Sequence, residues 1–227
     1  MRAHVTVTSR AGGVSRSPYD GNNLALHVGD DPAAVADNRR RLASSLVVDR
    51  VQFMTQVHGA QVRVVDAAGD DIDGVDALVT ATPRVALAVL VADCVPVVVW
   101  GTGAVAVAHA GRRGVAGGVV PATVHVLRTL DDGPLQALVG ASICGRCYEV
   151  PPAMQDEVAR VAPEARTQTR HGTPALDLPA AVRAQLTAAG VDVQPAPCAC
   201  TFEDDRYYSH RRDGVTGRFA LVALLGP

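Results

Sequence analysis

The sequence predicts a layered α+β fold built as one domain over residues 1–227. Short β-branched runs crowd the middle of the chain, and capped amphipathic helices stand at intervals around them. The order, strands in runs with helices interspersed, is not a regular βαβ alternation. Hydrophobic residues at 48% and charged residues at 19% give enough apolar surface for one core without staples.

Asp31 followed by Pro32 is a helix start, a capping carboxylate with proline in the first turn, continued by apolar Val35, Leu42 and Leu46. Strands are expected at Val51 to Val57, Gln61 to Val65, Ala77 to Thr80, Val85 to Ala92, Val95 to Trp100 and Ala104 to Ala108. The Val85 and Val95 runs are almost continuously apolar, as in strands covered on both faces. Asp66 to Asp76 holds five aspartates among small residues and reads as an exposed turn. Val115 to Leu130 has helical length but carries Gly117, Gly118 and Pro121, which leaves its start undefined. Leu135 to Val139 and Phe219 to Leu225 complete the strands. Asp177 and Pro179 open a second capped helix with Val182 and Leu186 on one face, ended by Gly190.

A formal charge of −2 offers no field for nucleic acid or an anionic membrane. The 21 basic residues are all arginine. The absence of lysine excludes Schiff-base chemistry, pyridoxal phosphate and a Walker A loop. No apolar run reaches the ~18 residues of a membrane span and no leader is recognisable, so a cytoplasmic protein is expected. Five cysteines then fit reduced thiols or metal ligands better than a disulfide framework.

Gly101, Thr102 and Gly103 join two of the strands. With Gly101 and Thr102 central in a type II′ turn, Trp100 pairs with Gly103 and Cys94 falls opposite His109 on one face, Cα atoms about 4.5 to 5.5 Å apart. A bulge at Pro96, which has no N–H, would slip the register by one and part them. A thiolate and two imidazoles suit zinc, with a fourth position open for water or substrate. Zinc lowers the pKa of bound water from about 9 toward about 7 and acts as a Lewis acid on a phosphoryl or purine group. His58, ending its strand beside Gly59, is the natural third ligand. On the residues alone, Cys94 reads equally well as a small buried hydrophobe, and His4, His125 and His171 as structural or surface residues.

Six segments together resemble the YfiH-like family, also named laccase-domain proteins, purine nucleoside phosphorylases or peptidoglycan editing factors. They are Asn23 to Asp31, Asn38-Arg39, Gln56-Val57-His58-Gly59, Ala92 to Val97, Ala108-His109-Ala110-Gly111, and Tyr208 to Gly214, spread over nearly the whole chain. The resemblance implies zinc on His58, Cys94 and His109. It implies phosphorolysis of adenosine, inosine and methylthioadenosine, with some adenosine deamination. It also implies an α/β/β/α arrangement of mixed sheets related to cysteine-dependent glutamine deamidases. Two departures stand out. Arg112 occupies a position that is commonly tryptophan, and Cys200-Thr201-Phe202-Glu203 replaces a Cys-Thr-x-Cys pattern, so Cys200 is not expected to join a paired site.

Phosphorolysis needs an anion pocket, for which Arg113, Arg211 and Arg212 have suitable guanidinium forks. Free N–H groups of a helix starting after Gly111 would add to it. Arg211 and Arg212 read equally as a solvated charge run. Asp93 is placed in the site as ligand orienter or general base, or equally as a buried cap. Cys144-x-x-Cys147 has only Cys198-x-Cys200 as a partner, a poor second half for a zinc ribbon, and no second metal site is expected. Seven histidines are too few for a four-copper centre, and neither His58 nor His109 is followed by x-Glu as in cytidine-deaminase centres. Two rivals stand beside the zinc phosphorylase: a metal-free Cys94/His109 hydrolase on an amide or cell-wall peptide, and a non-enzymatic editing factor in cell-wall synthesis. Nucleoside and phosphate are the expected partners, and the oligomeric state is left open.

Overall fold

The computed structural model of the protein describes residues 2–195 and 199–226; Cys198 lies outside the described residues. In chain order the elements are β1 (Ala3–Val7), α1 (Pro32–Ser45), β2 (Val51–Gln52), β3 (Met54–Thr55), β4 (Val62–Val64), β5 (Ile72–Asp73), β6 (Ala77–Thr80), β7 (Ala86–Val91), β8 (Val95–Trp100), β9 (Val105–Ala110), α2 (Arg112–Ala116), α3 (Val119–Arg128), β10 (Leu135–Val139), α4 (Pro152–Ala159), β11 (Arg166–Gln168), β12 (Pro174–Leu176), α5 (Leu178–Ala188), β13 (Val191–Val193), α6 (His210–Asp213) and β14 (Phe219–Leu225).

Two mixed sheets stack face to face, one ordered β1-β14-β7-β2 and the other β13-β10-β8-β9-β6-β4. Successive strand residues point to opposite faces, so each central strand feeds two apolar layers. Leu87, Val89 and Val91 of β7, with Phe219 and Leu221 of β14, meet Val98 of β8 and Val105 and Val107 of β9 between the sheets. The alternate residues Val97, Val99, Ala106 and Ala108 pack outward against Val124 and Leu127 of α3 and Val182 and Leu186 of α5. Leu42 and Ala43 of α1 cover Ala86, Ala88, Ala220 and Val222 on the other outer face. The layers run helix, sheet, sheet, helix, which explains why β7 and β8 read as continuous apolar runs. Each fully buried Val or Leu contributes about 1.5–3 kcal/mol.

The two capped helices form as expected. The Asp31 side chain accepts from the N–H of Ala33 at 2.9 Å and that of Asp177 from the N–H of Ala180 at 3.0 Å, and Gly190 ends α5 at φ +71°. The Val115 to Leu130 stretch is two helices. Gly118, in the left-handed region at φ +81°, resets the chain between α2 and α3, and Pro121 sits in the first turn of α3, where its missing N–H costs nothing.

Three expectations need correction. The Val51 to Val57 run is not one strand: β2 joins the four-stranded sheet and β3 pairs with β5. The break follows from side-chain amides that replace ladder bonds. Gln52 donates to the carbonyls of Phe53 (2.7 Å) and Asp70 (2.8 Å), while Gln56 both donates to the carbonyl (2.8 Å) and accepts from the N–H (2.9 Å) of Leu90. The Asp66 to Asp76 segment is not one solvated turn either. Asp71 holds the Arg39 guanidinium through both oxygens at 2.7 and 3.0 Å, and Asp76 is fully buried. The hairpin turns one residue later than expected. Gly101 N–H donates to the Ala104 carbonyl at 3.0 Å, so Thr102 and Gly103 are central, Trp100 pairs with Val105 and Pro96 with His109.

That register moves the partner of His109 from Cys94 to Pro96, two residues along. An even shift conserves the face, so Cys94 stays diagonal to His109 on the same side of the sheet. Pro96 makes no bulge. His109 N–H points away to the Asp76 carbonyl of the neighbouring strand at 2.8 Å, so the 96–109 pair is the kind that exchanges no ladder bonds.

Candidate metal centre

His58 lies in the turn after β3, not at a strand end, and its φ of +60° is in the left-handed region that side chains rarely adopt. The turn is held by Asp76, whose carboxylate accepts the backbone N–H groups of Val57 (3.3 Å), His58 (2.9 Å) and Gly59 (2.7 Å). The same carboxylate takes Nδ1 of His109 at 2.8 Å. One buried anion therefore sets the backbone of one imidazole and the tautomer of the other, leaving Nε2 of His109 free to face the site.

Cys94 Sγ is 3.9 Å from His58 Nε2, and the rings of His58 and His109 meet edge to face with centroids 4.6 Å apart at 85°. One donor atom from each of the three lies within 4.8 Å of the others. A tetrahedral zinc ion at about 2.0–2.1 Å from nitrogen and about 2.3 Å from sulfur needs donors roughly 3.3–3.8 Å apart, so a small inward movement suffices. Gly111 supplies the room. A Cβ there would stand 2.8 Å from His58 Cδ2, 3.2 Å from Cys94 Sγ and 3.3 Å from His109 Cε1.

The electrostatics act on the candidate donors. Burial opposes the thiolate, but the charge on His109 and hydrogen bonds with both imidazoles outweigh it and bring Cys94 from 9.0 down to about 6. Burial likewise opposes the imidazolium, yet the Cys94 thiolate and the Asp76 carboxylate hold His109 up at about 9. Both shifts favour a thiolate beside an imidazolium.

Around the group stand residues the sequence reading did not select. The Tyr148 phenol is pushed up by burial and by Cys94, and interacts with Arg112. Arg218 and His27 lie within electrostatic reach, of Cys94 and His109 respectively. His27 also borders a cavity of about 620 Å³ lined by Leu26, Arg39, Phe53 and Asp71, which includes none of His58, Cys94 and His109.

The expected site residues divide. His58, Cys94 and His109 come together. Asp93, at φ +92°, accepts from Thr201 Oγ1 (2.7 Å) and from the Arg211 backbone N–H (2.6 Å), so one oxygen ties the entry to β8 to the Thr201 segment and the other to the start of α6. Arg113 is exposed on α2, a helix of five residues. Arg211 lays its guanidinium 5.0 Å from the Tyr148 ring centroid and donates to the Glu149 carbonyl at 2.9 Å, beside the centre. Arg212 is committed to the Asp213 carboxylate and to the carbonyls of Thr201 (2.7 Å) and Tyr207 (2.8 Å). Asp76 was legible only through register: Ala77 pairs with Ala108, which puts Asp76 beside His109.

Fold and site define a class, a mixed α/β protein of stacked sheets with a mononuclear His/Cys/His group able to hold a metal. The chain belongs to the family described as multi-copper polyphenol oxidoreductase laccase, whose sequence model matches residues 4–226. It is 51% identical over 226 residues to a Streptomyces coelicolor protein named purine nucleoside phosphorylase, covering 96% of this chain and 93% of that one. A Mycobacterium tuberculosis protein of the same name is 48% identical over 232 residues, covering 99% and 93%. Among solved structures, a Neisseria meningitidis protein of the DUF152 family superposes with a TM-score of 0.88 at 34% identity, covering 99% of this chain and 95% of that one. YlmD from Geobacillus stearothermophilus gives 0.88 at 34% identity, covering 99% and 92%.

Proposed function

We propose that the protein is a zinc-dependent purine nucleoside phosphorylase acting on adenosine, inosine and methylthioadenosine, with adenosine deamination as a side activity. The observation that carries the reading is the convergence of His58, Cys94 and His109 on one point with a coordination position to spare. The names of relatives near half identity support the substrate class. Zinc held there supplies a Lewis acid for a phosphoryl or purine group.

The chain's own residues bind and orient. Arg211 and Arg113 offer guanidinium forks for phosphate, while Arg212 and Asp93 position the segment that carries Arg211. Tyr148, kept protonated, presents a hydroxyl and a ring at the rim. In phosphorolysis the glycosidic C–N bond breaks, a phosphate oxygen bonds to the anomeric carbon, and the departing purine takes a proton. Reduced thiols suit a cytoplasmic enzyme, and one domain spans the chain.

Pure protein given inosine should release hypoxanthine and ribose 1-phosphate only when phosphate is present, and lose that activity to a chelator. Phosphate-independent release of base would overturn the reading. The thiolate–imidazolium pair of Cys94 and His109 favours one alternative, a metal-free hydrolase on an amide or cell-wall peptide. That activity would survive chelation and yield to thiol alkylation. A non-catalytic editing factor would complement its deletion strain even as Cys94→Ala.

A further inference from the structure

We propose that Cys144, Cys147, Cys200 and Glu203 form a second metal site, for a divalent thiophilic cation such as zinc, which clips together the two segments that border the His/Cys/His centre. The three thiols and the carboxylate each offer a donor atom, all within 4.8 Å of one another, the spread also found among His58, Cys94 and His109. This corrects the expectation that Cys200 stands apart from Cys144 and Cys147, because partners 56 residues apart in sequence become neighbours only through the fold.

The backbone is arranged as a sulfur cradle. Cys147 and Tyr148 N–H groups both donate to the Cys144 carbonyl, at 2.9 and 3.0 Å, which curls the Cys-x-x-Cys segment into a tight turn. Ser142 bridges to Cys200 in parallel, and Cys144 N–H donates to Cys200 Sγ at 3.4 Å, which seats the third sulfur against the Cys-x-x-Cys turn. Three thiolates and one carboxylate around a divalent ion leave two negative charges. Two guanidiniums oppose them: Arg170 donates to Cys147 Sγ at 3.3 Å and pairs with Glu203, and Arg146 acts on Glu203. A disulfide would use two of the three sulfurs and strand the third. A four-donor ion uses every group, each thiol giving up its proton as it ligates.

Position gives the site its consequence. The first segment continues into Tyr148 and Glu149, which hold Arg211, and the second contains Thr201, which holds Asp93 beside Cys94. An ion here fixes the rim of the first centre without touching substrate.

Metal analysis of the full chain, purified reduced with zinc present and then desalted, should give two equivalents in the native protein, one in Cys94→Ser and none in Cys94→Ser/Cys147→Ser. Cobalt titrated into Cys94→Ser should produce a thiolate-to-cobalt charge-transfer band, which Glu203→Cys strengthens and Glu203→Gln weakens. The native stoichiometry and the Cys94→Ser spectrum leave the second cluster intact, so a failure of Cys147→Ser to fold does not decide the matter. A native stoichiometry of one with no cobalt–thiolate band in Cys94→Ser overturns the proposal. So does peptide mapping that finds a disulfide among Cys144, Cys147 and Cys200 in the zinc-treated protein. Neither result bears on phosphorolysis, which rests on the first centre alone.

Discussion

At the scale of single residues, Asp76 organises the centre more than any of the three ligands. It is fully buried, accepts three consecutive backbone N–H groups around His58 and binds the ring of His109. Asp76→Asn keeps the shape but loses the charge and puts a donor where acceptors are needed, so zinc affinity should fall about 10–100-fold. Competition with a chromophoric chelator measures the loss, and unchanged affinity would show that His109 orients itself. Cys94 gives a pH test. Its thiol lies at about 6 where an ordinary one lies at 9.0, so in metal-stripped protein the thiolate fraction climbs as pH rises through 6 and is nearly complete by neutrality. Alkylation by iodoacetamide should be half-maximal near pH 6. A midpoint near 9 would mean that the His109 charge is absent.

At the scale of elements, each helix and strand is set by chemistry close at hand. The α1 cap is the simplest case. Asp31→Ala removes the acceptor for Ala33 N–H and should cost about 1 kcal/mol, read as a lower denaturation midpoint with zinc content unchanged, since α1 covers the sheet that does not carry His109. A larger loss, or loss of zinc, would couple α1 to the centre. The β8–β9 hairpin shows where local chemistry misleads. Gly101 and Gly103 both permit a tight turn, and the choice between them depends on how the flanking strands pair. Asp131 tips that balance by accepting the Gly103 N–H at 2.6 Å.

At the scale of the molecule, the two sheets share one apolar layer, and Leu221 of β14 lies within it at 1% exposure. Leu221→Ala should destabilise the protein by about 2–5 kcal/mol, because packed sheets on both sides cannot collapse into the gap. Urea unfolding with an unchanged slope checks this. A loss under 1 kcal/mol would mean the layers slide to fill it. The sheets also carry the donors: Cys94 precedes β8, His109 lies near the end of β9, and β6 brings Asp76 to the His109 ring and to the backbone of the His58 turn.

The sequence by itself determined the periodic elements and the chemistry of the ligands. β6, β10 and β14 fall where their β-branched and apolar runs lie, α1 and α5 start at their capping aspartates, and His58, Cys94 and His109 stand out as imidazole and thiol donors able to share one metal ion. These are local properties, fixed by side-chain shape, capping groups and donor atoms within a few residues. Tertiary structure alone decided the rest. It buried Asp76 out of a segment that reads as a solvated turn, split the Val51 to Val57 run at glutamine amides that mimic a ladder, and brought Cys200 to Cys144 and Cys147. Each outcome depends on which strands become neighbours, and the energy of burying or pairing a group is settled only when distant segments close around it.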